Sequence, residues 1–186
     1  MPEKSTARHF VFQTPFGKGA FVFRETPFTI IEVLLPRSSL EKLRAALKRG
    51  NWGKPGIHPQ AERLSEFISG YFNGKVEPKL WPPWEWLDLN GLTALQRSVL
   101  YATAAIPYGS VRTYGQVAAA IDRPQACRFV GTTLAKNPYP ILIPCHRVIR
   151  SDGSFGQFGG GTDLKKSLIE REAALVSSKG RLQPYD

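Results

Sequence analysis

Three apolar runs open the chain, at residues 10–12, 20–23 and 28–35, rich in β-branched and aromatic side chains. Thr14-Pro-Phe-Gly17-Lys-Gly19 breaks the first from the second, and Pro36 ends the third. This pattern predicts an antiparallel group of three strands. The period then lengthens. Leu40, Leu43 and Leu47 share one face of a helix over 40–49, which Ser38 or Ser39 can cap. Residues 51–58 contain three structure breakers and read as a loop, and Leu64, Phe67 and Ile68 mark a second helix over 61–70. Trp81, Trp84 and Trp86 interleave with Pro82 and Pro83, which predicts a stiff, extended segment. No basic residue lies between Leu80 and Asn90 to hold phosphates, so this segment reads as a linker rather than a stacking platform.

Beyond it the pattern is helical. A helix over 93–105 stops at Ile106-Pro-Tyr-Gly109, and a second over 114–121 is capped by Thr113. Asp122-Arg-Pro124 turns the chain, and Pro124 suits the first position of a third helix from Gln125 to about residue 135. A last helix over 164–175, capped by Thr162 or Asp163, has Leu168 and Leu175 facing inward and Glu172 near that face. The expected organisation is a scaffold domain at 1–80, a linker at 81–92 and a second domain at 93–186.

Composition narrows the class. The 186 residues carry a formal charge of +10, with 42% hydrophobic and 22% charged residues. Between Arg97 and Arg150 lie seven basic residues and a single acid, Asp122. Such a region attracts polyanions before any sequence is read. Two short helices joined by a few residues inside it suggest a helix-turn-helix, a pattern that plain αα-hairpins share. Two cysteines and three histidines with no ligand spacing make neither a disulfide framework nor a metal centre. No apolar run is long enough to span a bilayer, and no secretion signal opens the chain. The expectation is an intracellular protein, cytoplasmic and nucleoid-associated in a prokaryote or nuclear in a eukaryote.

The chemistry concentrates in Asn137-Pro-Tyr-Pro-Ile-Leu-Ile-Pro-Cys145-His146-Arg147-Val148-Ile149. Residues 141–143 read as the end of a buried strand or helix, and Pro144 constrains the turn that presents Cys145. A thiol attacks only as a thiolate, so it needs a base, a cation or a helix N-terminus nearby. Adjacent side chains in extended backbone point apart, so Cys145 and His146 need a bend or a bridging water to couple. Arg128 fits either a solvated surface cation or a side chain that fills the gap left by an extruded base. Glu172 fits either a surface residue or an acceptor for a His146 N–H. The five glycines between Arg150 and Gly161 predict a pocket loop or a loose connection.

Pro144-Cys145-His146-Arg147-Val148-Ile149, preceded by Asn137-Pro138, resembles the active-site signature of the O6-alkylguanine-DNA alkyltransferases. The likeness continues through Tyr114, Gln125-Ala126-Cys127-Arg128-Phe129-Val130-Gly131, the glycine loop and Glu172. It implies an α+β fold: an N-terminal three-stranded antiparallel sheet with helices, then a helical domain with a winged-helix-like helix-turn-helix. It implies a monomer without cofactor or metal that binds double-stranded DNA through the minor groove. Its reaction would be one irreversible alkyl transfer from flipped O6-alkylguanine, and from O4-alkylthymine, to Cys145.

By the same resemblance, His146 acts through a water as the base, oriented by Glu172. Asn137 supports the turn, and Tyr114 contacts a phosphate and donates a proton. Thr113, Gln125, Ala126, Cys127, Phe129 and Gly131 join Arg128 and Tyr114 on the DNA face. Leu134, Pro140, Val148, Phe155, Gly156, Phe158, Gly159 and Gly160 form the pocket. The backbone carbonyls of Cys145 and Val148 would accept from the guanine amine. Phe129 stands where the family often has alanine, and Gly159 where many members have serine. Both differences bear on which alkyl groups fit. Cys127 has no histidine near it in sequence and is expected to be unreactive. The alternatives are a non-catalytic lesion binder or helix-turn-helix DNA-binding protein, for which Cys145 would be idle, and a cysteine hydrolase, which would not need the basic helix pair.

Overall fold

β1 (Arg8–Thr14), β2 (Gly17–Glu25) and β3 (Phe28–Arg37) form the predicted antiparallel strands in the computed structural model, which describes residues 7–74 and 83–178. The β1–β2 turn is held locally. Thr14 Oγ1 donates to the Gly17 carbonyl at 2.8 Å and accepts from Phe16 N at 3.1 Å. Gly17 has φ +111°, and a Cβ there would collide with the Arg37 carbonyl, so glycine is required. The sheet has a fourth strand that the sequence reading takes for loop. β4 (Lys54–Pro55) pairs in parallel with β1, giving the order β3-β2-β1-β4. Two residues with a proline carry too little pattern to announce a strand, and an edge position tolerates the missing donor.

α1 (Leu40–Gly50) is capped by Ser39, whose side chain accepts from Lys42 N, and buries Leu43 and Leu47. α2 (Pro59–Phe72) starts two residues before the expected limit because Pro59 takes the first turn and His58 serves as cap. Phe21, Phe23 and Phe28 pack as a chain of tilted rings, and Phe28 stacks on His58 at 4.7 Å. His9, expected at the surface, is half-buried, with Nδ1 3.1 Å from the Trp52 carbonyl.

The chain divides into two compact units, which among the described residues are 7–74 with 83–88, and 89–178. The expected linker behaves differently over 83–88. Trp84–Trp86 is a 3-10 turn, Trp86 meets Phe28 edge-on at 5.2 Å, and Asp88 N bonds to the Ile30 carbonyl. Asp88 also pairs with Arg24 at 2.6 Å. Trp86 buries more by packing on an aromatic sheet than by lying extended in water, and so it belongs to the first unit. Trp81 and Pro82 lie outside the described residues.

In the second unit α3 (Ala94–Ala104) and α4 (Tyr114–Ala120) each begin with a capping box, Thr93 with Gln96 and Thr113 with Gln116. α5 (Cys127–Ala135) starts two residues later than predicted, so Pro124 stands in the preceding turn rather than at the first helical position. Asp122 at φ +56° turns the chain there, and Ala126 N bonds back to the Arg123 carbonyl at 2.8 Å. α4 and α5 pack as the expected helix pair, with Val117, Ala118, Val130 and Leu134 buried. β5 (Arg112–Thr113) and β6 (Val148–Ile149) pair in parallel and tie the start of α4 to the residues after Cys145. α6 (Thr162–Ser178) includes both residues expected to cap it. Its buried stripe is Lys165, Leu168 and Glu172, with Leu175 only half-buried.

Candidate active site

The segment 139–148 is buried throughout, yet its residues 141–143, expected to end a strand or helix, form an irregular turn. Buried irregular backbone must find its hydrogen bonds locally. Ile143 N bonds to the Tyr139 carbonyl, and Cys145 N bonds to the Ile143 carbonyl, both at 2.8 Å. The second closes a three-residue turn around Pro144, at φ −79°, ψ 63°. Asn137 completes it: Nδ2 donates to the Ile143 carbonyl at 2.9 Å, while Oδ1 accepts from Tyr139 N at 3.0 Å. Ile141 sits at φ +76°, a region costly for a β-branched side chain, on the order of 1–3 kcal/mol. Backbone strain near Cys145 is thus held by burial and by the two hydrogen bonds of Asn137.

Cys145, His146 and Arg147 form one 3-10 turn, which supplies the bend that adjacent Cys and His side chains require. His146 is fully buried, with Nε2 2.8 Å from Glu172 Oε1. Glu172 is 2% exposed, which disposes of its reading as a surface residue. Burial pushes its carboxyl up, but the His146 hydrogen bond and charge and the Arg147 guanidinium outweigh that and hold it at about 2. An ionised carboxylate only accepts, so Nε2 carries the proton and Nδ1 is the basic nitrogen. Burial lowers the His146 pKa against the pull of Glu172, which favours a neutral imidazole. Cys145 is pushed up by burial and pulled back by the Asn137 side chain, the charge of Lys165 and backbone N–H groups.

Arg147 and Lys165 are the partners that the sequence reading did not assign. Arg147 grips both oxygens of Glu172 and sends Nη1 to the Ile106 carbonyl at 2.6 Å, with its guanidinium 5.4 Å from the Tyr108 ring. Gly109 N adds a bond to Glu172 Oε2 at 2.9 Å. Burial raises the Tyr108 phenol to about 12, with Glu172 adding to it, so Tyr108 is neutral here. Lys165 is 1% exposed and donates to the Val148 carbonyl at 2.6 Å. Its signal was available: Lys165 stands seven residues before Glu172, on the same helical stripe.

A cleft of about 520 Å³ opens between α4, α5 and the loop after β6. Thr113, Tyr114, Cys127, Arg128, Gly131 and Gly156, which the sequence reading assigned to the DNA face or the pocket, line it together. Arg150, Ser151, Asp152 and Gln157, not assigned from sequence, line it too. Gln125, Ala126 and Phe129 lie at or before the start of α5 outside this lining, and Cys145 does not itself border the cleft. Gly156 is buried against Tyr114. A Cβ on it would stand 3.2 Å from two carbons of that ring and closer still to the hydroxyl. Burial raises the Tyr114 pKa, and the neighbouring Cys145 charge adds to it. Arg128 is exposed on α5, free of the core, and Cys127 is exposed beside it. Of the other pocket assignments, Leu134, Pro140 and Val148 are buried, Phe155 and Gly160 half-buried and Gly159 exposed. Phe158 is half-buried, with its ring edge-on to His146 at 6.4 Å. Among the described residues no three metal-ligating side chains cluster, and no helix is long and apolar enough to cross a membrane.

Residues 94–174 match the family model described as 6-O-methylguanine DNA methyltransferase, DNA binding domain. A methylated-DNA–protein-cysteine methyltransferase of Methanothermobacter thermautotrophicus is 47% identical over 95 residues, which are 51% of this chain and 52% of that protein. The match thus spans about half of that relative. The Haemophilus influenzae protein of the same name is 36% identical over 129 residues, 69% of this chain and 70% of its own. The crystal structure of Mycobacterium tuberculosis O6-methylguanine methyltransferase superposes with a TM-score of 0.70 at 29% identity, covering 90% of this chain and 93% of that one. The structure from Pyrococcus kodakaraensis, at 24% identity and a TM-score of 0.64, shares the fold. With its Cys-His-Arg turn, buried glutamate and helix pair, the chain belongs to the methylated-DNA–protein-cysteine methyltransferase family.

Proposed function

We propose that the protein repairs alkylated DNA by a single, irreversible transfer of an alkyl group from guanine O6, and from thymine O4, to Cys145. The observation that carries the proposal is the buried Cys145-His146-Arg147 turn with Glu172 ionised behind it, next to a cleft lined by Tyr114 and Arg128. The thiol proton passes through a water to His146 Nδ1, and Glu172 stabilises the imidazolium that forms. The thiolate lone pair then forms an S–C bond to the alkyl carbon as the C–O6 bond breaks, and the released pair stays on guanine. Tyr114, kept protonated by its raised pKa, supplies the proton that neutralises the leaving base. A thioether is a poor leaving group and no reductant takes part, so each chain reacts once.

Duplex DNA is the proposed partner, engaged through the minor groove by a monomer. Support comes from the exposed Arg128 at the start of α5, the charge of the second unit and the similarity to a Mycobacterium tuberculosis structure solved in complex with DNA. Arg128 occupies the stack vacated by the flipped base, and Phe129 extends the apolar area beside it. The Cys145 and Val148 carbonyls read the guanine amine. The proposed location is wherever the genome lies, nucleoid or nucleus. A duplex carrying a labelled methyl group at guanine O6 tests the proposal. Label should move to the protein in a form stable to denaturation, and binding without any such movement would favour a lesion-binding role.

A further inference from the structure

Arg150 leaves the small sheet of the second unit beside Tyr114. β5 and β6 run parallel with Thr113 opposite Ile149, so the residues that follow, Tyr114 and Arg150, start out as neighbours. A short loop then fixes the Arg150 backbone. Its N–H donates to the Ser154 carbonyl at 3.0 Å, and its own carbonyl accepts from Gly153 N at 3.1 Å. Asp152, the acid of this loop, accepts from Ser154 N through Oδ1 at 2.9 Å. Among the described residues no carboxylate forms an ion pair with Arg150, whose side chain is exposed.

α5 forms the opposite wall. Gly131 lets it approach Tyr114 closely, since a Cβ there would stand 3.8 Å from the ring, and Arg128 lies one turn earlier on the same helix. Arg128 and Arg150 both line the cleft, so two exposed arginines flank Tyr114 at one opening. Like charges gathered at a cleft repel one another and focus a field that draws in an anion. A nucleotide that swings into this cleft brings its own strand to the mouth, because its flanking phosphates are bonded to it. A cation on the rim therefore meets that strand before the complementary one. With Arg128 occupied in the vacated stack, the rim phosphate falls to Arg150, whose planar fork of N–H donors matches two phosphate oxygens.

We propose that Arg150 grips one phosphate of the lesion strand beside the flipped nucleotide, so that the duplex is clamped across Tyr114 by Arg128 in the stack and Arg150 on the backbone. Such a contact reads no sequence and fixes the position of the strand over the pocket. The assignment rests on the duplex-binding reading above and names the strand and chemical group engaged.

Arg150→Gln is an exposed polar replacement, so its thermal unfolding midpoint should match the parent's. Binding to an O6-methylguanine duplex is measured in the Cys145→Ala background, where no transfer consumes the complex. Losing one phosphate contact should weaken binding about fivefold at roughly 0.15 M salt and flatten the slope of log K against log salt by about 0.9. Arg150→Lys keeps the charge and should keep the slope. Duplexes with a single uncharged methylphosphonate, moved phosphate by phosphate past the lesion on either strand, locate the contact. One position on the lesion strand should weaken Cys145→Ala by a similar factor and leave Cys145→Ala with Arg150→Gln unaffected. An unchanged salt slope, an equal penalty at every position, or a matching position on the complementary strand would overturn the proposal while leaving duplex binding intact. If neither the parent nor Cys145→Ala binds the duplex, the reading beneath it fails as well.

Discussion

Arg147 and Glu172 form a forked ion pair, with Arg147 Nε 2.9 Å from Oε2 and Nη2 3.1 Å from Oε1 of the carboxylate. His146 Nε2 shares Oε1 at 2.8 Å, so the orientation of the base and the neutralisation of a buried arginine depend on one side chain. Glu172→Gln removes the charge from both. Breaking a buried pair on one side leaves the other ion uncompensated, at a cost of about 3–5 kcal/mol. Chemical denaturation should show that loss, and Arg147→Met combined with Glu172→Gln should recover a large part of it. Simple additivity of the two variants would mean that the pair contributes little.

The same substitution reports on catalysis. Under conditions where Glu172→Gln remains folded, single-turnover transfer at neutral pH should slow by roughly 10²- to 10⁴-fold, the range for a positioned acid–base group. Part of the loss should return at higher pH, where Cys145, whose pKa burial has raised, ionises without help. A rate and pH profile equal to the parent's would remove Glu172 from the relay.

Acid stability follows from the shifts, with their signs. Glu172 titrates at about 2 when folded, against an ordinary value of 4.5. Its stabilising contribution is therefore complete above 4.5 and is lost as pH falls toward 2. His146 is also depressed in the folded state, so protonating it below its ordinary value of 6.5 likewise favours unfolding. Thermal unfolding measured from pH 7 to pH 3 should show a steady fall, shallower in Glu172→Gln. Parallel curves would show that other carboxylates set the acid limit.

Asn137 should matter beyond its own two hydrogen bonds, each worth about 0.5–1.5 kcal/mol. It secures the Ile143 carbonyl that the Cys145 amide also uses, next to the strained Ile141. Asn137→Ala is expected to lower stability by about 1–3 kcal/mol, the cost of leaving buried backbone groups without partners, and to reduce transfer more than DNA binding. Denaturation, transfer and binding measured on the same variant check this. Equal losses in transfer and binding would place its effect in the overall fold of the unit.

Much of this arrangement was legible in the chain. Capping at Ser39 and Thr113, the three long strands and the Pro-Cys-His-Arg segment all follow from local chemistry that tertiary packing did not override. What escaped depended on distant partners. Lys54-Pro55 becomes a strand only because β1 offers an edge, and 83–88 folds onto β3 because Phe28 and Ile30 await it. Arg147 was visible in the motif, but its grip on Glu172 spans 25 residues and no spacing announces it. The reading of 141–143 as regular structure failed because Asn137 and Pro144 shape a turn there that apolar content alone cannot reveal.

Arg128 separates DNA engagement from chemistry. Arg128→Ala should cut transfer from duplex DNA steeply while leaving reaction with free O6-benzylguanine nearly unchanged, because no base then has to leave a stack. The two rates are measured side by side. Matching losses on both substrates would mean that Arg128 shapes the pocket rather than the duplex.

The central claim is that one thiol accepts one alkyl group. Peptide mass spectrometry after reaction with excess O6-methylguanine duplex tests it most directly, because the chain offers two free thiols, buried Cys145 and exposed Cys127. The account predicts one methyl group per chain, on Cys145, with none transferred to Cys145→Ala, which should still bind the duplex. A methyl group on Cys127, or continued transfer to Cys145→Ala, would contradict it.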